Sequence, residues 1–358
     1  MSGLNDRQAR VSTRSVCVRG GLYTAFVVSL VLGFSTQQSA AESYDLPFPL
    51  GLKKELAVIP DDNPLTKEKV ELGKWLFFDT RLSKNDSIAC ASCHIPSLAF
   101  TDGQAVSTGI HRQQGGRSAP TAINRVFSSG QFWDGRAATL EEQSVGPLTN
   151  PIEHGFGHDD EVVEKLRRIK EYPPLFQKAF GSGISIQTVG KAIASFQRTL
   201  LSGNSPFDQH TAGGNEQALS PEAKNGLTIF RGKALCFTCH SGANFTDEKF
   251  HNLGVDWDRD HIDLGRYVVT KNPKDIGAFK TPTLREISRT APYMHDGRFA
   301  TLRQVVEFYD QGGIANPHKD PLVQPLKLTE KEKTDLVEFL KSLNGEGWDV
   351  TPPTQFPQ

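Results

Sequence analysis

Two five-residue stretches decide the fold of this chain: Cys90-Ala-Ser-Cys93-His94 and Cys236-Phe-Thr-Cys239-His240. The pattern CxxCH is the attachment signature of c-type haem. In such a site both thiols bind the haem vinyl groups, and the adjacent His becomes an axial ligand of the iron. The chain has only five cysteines, and the two motifs use four of them. A pair of structural CxxC metal sites is the alternative, but each motif has the trailing His and lacks a second CxxC nearby.

The fifth cysteine, Cys17, lies in an N-terminal segment that is typical of a secretory signal. Arginines flank it, an apolar run follows from Leu22 to Phe34, and small residues come at Ser39-Ala40-Ala41. This order predicts a cleaved signal peptide over residues 1–41. A retained membrane anchor is the alternative, although the apolar run is short for a span of about 20 residues. Because c-type haem is attached outside the cytoplasm, we expect a periplasmic protein.

The charge of the chain is nearly balanced. Removal of residues 1–41 takes away a net charge of +3 and changes the formal charge from −1 to about −4. This balance does not predict nucleic-acid binding, and it favours a basic redox partner only weakly. The 317 residues that remain are enough for two domains of ordinary size.

The chain contains an internal repeat. Each haem motif is followed by Phe-Thr-Asp, at Phe100-Thr101-Asp102 in the first copy and Phe245-Thr246-Asp247 in the second. Further on, Trp133-Asp134-Gly135-Arg136 corresponds to His295-Asp296-Gly297-Arg298, with the same spacing from a preceding Pro-Thr pair. The repeat predicts two copies of one haem-binding unit.

We expect a mostly α fold with two cytochrome-c-like domains, over residues 42–205 and 206–358, and long loops between helices. The boundary falls in a stretch rich in Gly, Asn and Ser at residues 201–222. A capping box at Thr329 and Glu332, followed by an apolar face, predicts a terminal helix over residues 329–344. No sustained alternation of apolar and polar residues predicts a sheet.

The second axial position of each iron is either occupied by a ligand or open. Met is a common second ligand in electron-transfer cytochromes c. The chain has two methionines, Met1 and Met294, and Met1 is lost with the signal peptide. At most one of the two haems can therefore be bound by Met.

In three long stretches the chain resembles the bacterial di-haem cytochrome c peroxidases and their relative MauG: LGKWLFFD at residues 72–79, QFWDGRA at residues 131–137 and APYMHDG at residues 291–297. The resemblance covers nearly all of the mature chain. It implies hydrogen peroxide as a substrate. The partner implied is a small periplasmic electron donor, a cytochrome c or cupredoxin, or else a protein substrate. A homodimer is left open.

The resemblance implies Tyr309 as the second ligand of the C-terminal haem. In the peroxidases this ligand is a Met fourteen residues after the His of the PYxHDG segment, and MauG-type proteins have a Tyr there. His295 plus fourteen is Tyr309 in this chain. The alternative is that Met294 binds the iron and Tyr309 is structural. For His295 itself we expect a hydrogen bond near the second haem.

The same position can be found in the first unit through the repeat. Trp133 corresponds to His295 there, and the residue fourteen places after Trp133 is Pro147. Because proline has no side-chain donor atom, we expect a five-coordinate N-terminal haem with an open face where peroxide binds. A non-catalytic di-haem electron carrier, the rival from another functional class, would instead have two closed haems.

The resemblance also supplies groups near the open face, since Gln143, Pro147 and Glu153 have the spacing of the pocket residues of MauG-type proteins. It implies that Glu153 is the general acid–base and that Gln143 hydrogen-bonds peroxide or water. Trp133 is implied as the aromatic residue between the haems. The alternatives are a surface Glu in a turn, an exposed Gln and a core Trp.

The chain departs from the family at the loop that closes the first haem in many peroxidases. Their distal His lies in a Gly-His-Gly context. Here the loop reads Thr108-Gly109-Ile110-His111-Arg112, with Ile110 at the position of the ligand. A shifted loop would still let His111 bind the iron.

Two further departures concern metal binding and the protein substrate. The family binds calcium between the haems, and the resemblance implies the backbone carbonyls of Thr290 and Pro292, while Ser118 stands where the family has an Asn ligand. MauG passes oxidising equivalents through a surface Trp two residues before its second CxxCH, and this position is Ala234 here.

These residues support two enzyme hypotheses. In one, electrons relayed through the Tyr309-ligated haem reduce peroxide at the haem of His94. In the other, peroxide drives the oxidation of residues on a partner protein. Tyr309 favours the second hypothesis, and Ala234 weakens it.

Overall fold

The computed structural model describes residues 42–358 and, before them, only Ser15. The predicted signal peptide over residues 1–41 lies outside the described residues. Within residues 42–358 no helix combines the length and the apolar character that a membrane crossing requires.

Helices and loops dominate the described part of the chain, so the mostly α prediction is confirmed. The α-helices are α1 (Lys67–Phe78), α2 (Cys90–Cys93), α3 (Leu140–Thr149), α4 (Asp159–Arg167), α5 (Tyr172–Phe180), α6 (Ile186–Gln197), α7 (Pro206–Thr211), α8 (Pro221–Arg231), α9 (Tyr267–Thr270), α10 (Leu302–Asp310) and α11 (Glu330–Lys341). Two short strands, β1 (Phe250–His251) and β2 (Phe279–Lys280), pair antiparallel.

Single turns of 3₁₀ helix connect these elements. They cover Lys54–Leu56, Thr80–Leu82, Pro96–Leu98, Ile110–Arg112, Arg125–Phe127, Cys236–Thr238, Pro273–Asp275 and Ile287–Arg289. The predicted terminal helix is present as α11. Its capping box joins Thr329 and Glu332 as the sequence indicated, and the helix ends at Lys341, before the predicted residue 344.

Two helix pairs frame the two haem motifs, α1 with α6 and α8 with α11. Both pairs cross at a glycine. A Cβ atom on Gly73 would lie 1.9 Å from the carbonyl oxygen of Ala192, and one on Gly226 would lie 2.0 Å from that of Asp335. Backbones this close leave no room for a side chain, so the repeat extends to how the helices pack.

Each helix pair contributes to its own apolar core. The first core includes Leu76, Phe77, Phe100 and Phe196. The second includes Phe230, Phe245, Phe339 and Leu343. Trp348, near the C-terminus, packs in the first core against Phe100, with ring centroids 6.4 Å apart. The end of the chain therefore returns from the second core to the first.

The turns that follow each core also repeat. The N–H of Gln131 donates to the carbonyl of Ala137 at 2.9 Å, and Tyr293 donates to Phe299 at 2.7 Å. Phe132 and Met294, at equivalent places in the two turns, both have a left-handed backbone, with φ of 65° and 71°. Each turn leads into a helix, α3 or α10, at equivalent Thr-Leu pairs.

Candidate functional site

A cavity of about 430 Å³ lies at the first CxxCH motif. Cys90, Cys93 and His94 line it on one side. It is also lined by the predicted pocket residues Trp133, Gln143, Pro147 and Glu153, which come from the turn before α3, from α3 and from the loop after it. The fold thus brings together residues that lie up to 63 positions apart in the sequence.

The two motif histidines have the same hydrogen bond. His94 Nδ1 lies 2.9 Å from the carbonyl oxygen of Phe100, and His240 Nδ1 lies 3.0 Å from that of Phe245. Donation from Nδ1 to a carbonyl orients the ring and leaves Nε2 as the metal-binding nitrogen, as is usual for metal-ligating His. Both sites therefore fit an axial His ligand.

The four motif cysteines form no disulfide and are half-buried. Burial raises the pKa of the Cys90 thiol to about 12 and that of Cys236 to about 12. An uncharged thioether suits such surroundings better than a thiolate does. The donor set and its environment therefore fit a covalently attached haem at each motif.

Glu153 faces the cavity from the turn after α3. Burial raises the pKa of its carboxyl group, and the charge of Arg136 and a hydrogen bond from Asn150 partly oppose that rise. Asn150 Nδ2 donates to Glu153 Oε1 at 2.6 Å, while Asn150 Oδ1 accepts the N–H of Ile152 at 3.0 Å. The carboxyl group is thus held in one place and protonates more readily than an exposed one.

Gln143 and Pro147 lie on α3, one turn apart, and both line the cavity. Gln143 Oε1 accepts a weak hydrogen bond of 3.4 Å from Gln197 Nε2, and Gln197 in turn donates to Ser144 Oγ at 3.0 Å. The amide of Gln143 is therefore oriented from behind, by α6.

The loop with the candidate His111 packs against the segment that carries Glu153. The N–H of Ile110 donates to the carbonyl of Glu153 at 2.9 Å. A Cβ atom on Gly109 would lie 2.1 Å from the carbonyl oxygen of Ile152. Ile110 is buried, whereas His111 is exposed, and neither lines the cavity, although Gly109 does. In this conformation His111 lies outside the first haem site.

Tyr309 lies on α10, in the second unit. Burial is the main cause that raises the pKa of its hydroxyl, and the charges of Cys236 and Cys239 add to it. The hydroxyl is thus close to the second motif. Met294 lies in the turn before α10, at the place that corresponds to Phe132.

His251, on β1, is a further residue of the second site. Its Nδ1 lies 2.6 Å from Asp320 Oδ2 and its Nε2 lies 3.0 Å from Asp247 Oδ2. The ligand atoms of Cys239, Asp247 and His251 lie within 4.8 Å of one another. Because Cys239 belongs to the CxxCH motif, we assign this group to the surroundings of the second haem.

Trp133 connects the two units. Its Nε1 donates to the carbonyl of Ser118 at 2.8 Å, and the N–H of Ser118 donates to the carbonyl of His295 at 2.7 Å. The rings of Trp133 and His295 are 6.5 Å apart, and His295 stacks on Phe279 at 3.6 Å. Nε2 of His295 lies 2.9 Å from Asp256 Oδ2.

The residues named for calcium lie in loops. Thr290 follows the 3₁₀ turn Ile287–Arg289, and Pro292 comes two residues later. The N–H of Ser118 is bonded to the carbonyl of His295, as described above.

The residue two places before the second CxxCH, Ala234, is buried, whereas Leu235 is 60% exposed and Phe237 is 46% exposed.

Several cavity residues had no motif that could have marked them. Arg117 bridges Asp134 at 2.6 Å and Asp263 at 2.7 Å. His154 is buried with Nδ1 2.8 Å from the carbonyl of Leu82, and burial lowers its pKa to about 4. Arg125 lines the cavity as well. The sequence interpretation missed all three because none of them lies within a recognised pattern.

Comparison with known proteins begins with a family model. The model described as di-haem cytochrome c peroxidase matches residues 67–217. The methylamine utilization protein MauG of Methylorubrum extorquens is 40% identical over 333 residues, which cover 92% of this chain and 94% of that protein. Cytochrome-c peroxidase IdrP1 of a Pseudomonas species is 37% identical over 349 residues, with 89% and 90% covered.

A solved structure is also similar. A MauG-like protein associated with microbial copper homeostasis has a TM-score of 0.76 and 33% identity, and the match covers 87% of this chain and 98% of that one. The diheme peroxidase BthA from Burkholderia thailandensis has the same fold, with a TM-score of 0.70 and 24% identity over 83% of this chain and 92% of that one.

Proposed function

This chain belongs to the di-haem cytochrome c peroxidase family, which includes MauG, and we propose that it reduces hydrogen peroxide at a haem held by Cys90, Cys93 and His94. Family membership makes it a haem peroxidase-type oxidoreductase. The finer assignment is supported by one observation above all. Glu153, Gln143 and Pro147 line the same cavity as His94, and Pro147 has the position on α3 that Tyr309 has on α10.

In this proposal the haem supplies the redox-active iron that binds and reduces the peroxide. The chain supplies the proton transfer. Reduction of hydrogen peroxide to two waters consumes two electrons and two protons, and cleavage of the O–O bond needs a proton on the departing oxygen. Glu153 accepts a proton from one peroxide oxygen and delivers it to the other. Asn150 keeps the Glu153 carboxyl group in position at 2.6 Å.

Gln143 and Pro147, both on α3, have complementary roles in this proposal. The amide of Gln143, oriented by Gln197, donates or accepts a hydrogen bond to peroxide or to a water beside it. Pro147 has no donor atom, so the face of the cavity next to it stays available for substrate. A non-catalytic electron carrier does not need an open face for substrate binding.

For the second unit we propose that His240 and Tyr309 bind a six-coordinate haem that relays electrons to the first. Burial raises the pKa of Tyr309, so a phenolate at this position would need a cation such as iron beside it. Trp133, bonded through Ser118 to the backbone of His295, is the proposed aromatic link between the two sites.

The remaining parts of the proposal concern organisation. Covalent attachment of both haems, a periplasmic location after removal of residues 1–41, and two domains over residues 42–205 and 206–358 follow from the motifs and the repeat. The two separate apolar cores support the domain division. Calcium at the carbonyls of Thr290 and Pro292 is carried over from the family.

A second candidate function is MauG-like oxidation of a partner protein by peroxide. Tyr309 and the 40% identity to the Methylorubrum protein favour it. Against it, Ala234 is buried where that mechanism uses a surface Trp. A small periplasmic electron donor, a cytochrome c or cupredoxin, is the partner that the first candidate requires.

The deciding experiment is an EPR spectrum of the isolated oxidised protein before and after one equivalent of hydrogen peroxide. One high-spin and one low-spin haem, both changed by peroxide without prior reduction, would support the open first site and Tyr309 ligation. Two low-spin haems that ignore peroxide until one electron is added would instead show that a residue such as His111 closes the first haem.

A further inference from the structure

Arg125 opens a 3₁₀ turn after the first haem motif and lines the haem cavity. Its Nε and Nη2 donate to Gln131 Oε1, at 2.9 and 2.5 Å, and Nη2 also donates to the carbonyl of Gly130 at 3.1 Å. Gln131 is buried, and its own Nε2 is bonded to the carbonyl of Ser128. The guanidinium is thus held firmly by neutral acceptors.

No carboxylate among residues 42–358 forms a salt bridge with Arg125. The acidic group in electrostatic range is Glu248. Glu248 is already used, since Lys280 Nζ lies 3.0 Å from its Oε1 and the N–H of Ser129 donates to its Oε2 at 3.0 Å. Lys280 is itself buried, so two cations share one carboxylate.

Arg125 is half-buried on the wall of the cavity, and because a guanidinium stays protonated in proteins it cannot become neutral there. A buried charge without a partner is costly, and proteins pair such charges. Burial lowers the pKa of Arg125, which reflects the same penalty. An anion that enters the cavity would supply this partner, and a haem brings two carboxylates, its propionates.

The repeat shows that this cation is specific to the first site. Ile287 is the residue that corresponds to Arg125, and it opens an equivalent 3₁₀ turn, Ile287–Arg289. The residues before them, Asn124 and Glu286, have the same left-handed backbone, with φ of 58° and 60°. The backbone is therefore alike in the two units, and only the first places a cation there.

We propose that Arg125 binds a propionate of the haem held by His94 and raises the reduction potential of that haem. The inference rests on the proposed function, because it needs a haem at the first motif. A fixed positive charge stabilises the reduced iron, which carries one positive charge fewer. The charge favours movement of electrons toward the haem that meets peroxide from the second haem, whose unit has Ile287 at the corresponding position.

The test is a spectroelectrochemical titration of the intact two-haem protein, with each haem followed by its own EPR signal. Arg125→Gln should lower the equilibrium constant for reduction of the first haem about tenfold, which is about 59 mV for one electron. Arg125→Lys should retain most of the potential. Two reduction potentials serve as controls and should not shift. One is that of the first haem in Arg168→Gln, which removes an exposed cation just after α4. The other is that of the second haem in Arg125→Gln.

An unchanged first-haem potential in Arg125→Gln, or an equal shift of both haems, overturns the proposal. If Arg125→Gln does not take up haem, Arg125→Lys decides by resonance Raman spectroscopy. A moved propionate bending band supports the ion pair, and an unmoved band refutes it. A wild-type protein that ignores peroxide but shows the Arg125 shift would refute the proposed function and leave the propionate contact standing.

Discussion

Pro147 is the eighth residue of α3 and Tyr309 is the eighth residue of α10, and these helices begin at equivalent Thr-Leu pairs of the repeat. Thr139 and Thr301 cap them alike, each accepting a hydrogen bond from the N–H three residues on. One backbone position thus has a side chain without a donor atom in the first unit and a phenol in the second. This difference predicts one open and one closed haem.

Replacement of Tyr309 tests the closed site. Tyr309→Phe removes the phenol oxygen, and we expect the low-spin EPR signal to disappear and both haems to become high-spin. Tyr309→Met should keep a low-spin signal and raise the potential of the second haem, since a thioether favours reduced iron more than a phenolate does. Tyr293→Phe, which removes a buried hydroxyl bonded to the carbonyl of Ile287, is the control and should keep the signal. A low-spin signal that persists in Tyr309→Phe would point to Met294.

Glu153→Gln should lower kcat/KM for hydrogen peroxide by about 10²–10⁴-fold, the usual contribution of a positioned acid–base group. The acid-base role needs the carboxylate form at the start of the reaction. Because burial raises the pKa of Glu153, the rate should fall on acidification at a higher pH than an ordinary Glu would give. Glu142→Gln, exposed and on α3 just before the turn that contains Glu153, is the matched control. Stopped-flow rates against pH measure both effects, and full activity of Glu153→Gln would exclude the role.

Asn150→Ala should move that acidic limb to still higher pH. The Asn150 amide donates to the Glu153 carboxyl group and favours its charged form, so its loss raises the pKa further. The rate at high pH should fall less than in Glu153→Gln, because the carboxylate is still present there. The pH profile separates this effect from a general loss of structure, which would lower the rate equally at every pH.

Much of the site could be predicted from the sequence because its residues belong to patterns with a fixed meaning. CxxCH predicted the haem sites, the family resemblance implied Tyr309, and the repeat transferred that position to Pro147. Thr329 and Glu332 marked the start of α11 because a capping box depends only on local contacts.

Other residues could not be predicted because distant contacts decide their environment. The position of Arg125 depends on the left-handed Asn124 before it and on Gln131, which reaches it across a turn. The position of His111 depends on contacts of its loop with the segment that carries Glu153, among them the hydrogen bond from Ile110 to the Glu153 carbonyl and the packing of Gly109. Sequence spacing carries no information about either contact.

The two helix crossings offer a test of the repeat itself. A methyl group on Gly73 or Gly226 would lie within about 2 Å of a backbone carbonyl of the partner helix, so the helices must move apart. We expect Gly73→Ala and Gly226→Ala each to lower the free energy of unfolding by about 1–3 kcal/mol or more. Gly183→Ala, where a Cβ atom would meet nothing within 4 Å, should leave the free energy of unfolding nearly unchanged. Chemical denaturation of the haem-loaded protein measures all three.

Trp133 is the last residue to test, since the proposed relay depends on it. Trp133→Phe removes both the indole and its hydrogen bond to Ser118, which links the first unit to His295. We expect electron equilibration between the haems to slow about tenfold, equal to about 1.4 kcal/mol in activation free energy. Flash reduction followed at the two haem signals measures it, with Trp75→Phe as the control. An unchanged rate would mean that electrons pass by another route, and the stacked pair of His295 and Phe279 is one candidate. Because Phe279 is adjacent to Lys280, whose N–H donates to the carbonyl of Trp133, Phe279→Leu in the Trp133→Phe background would then separate the two routes.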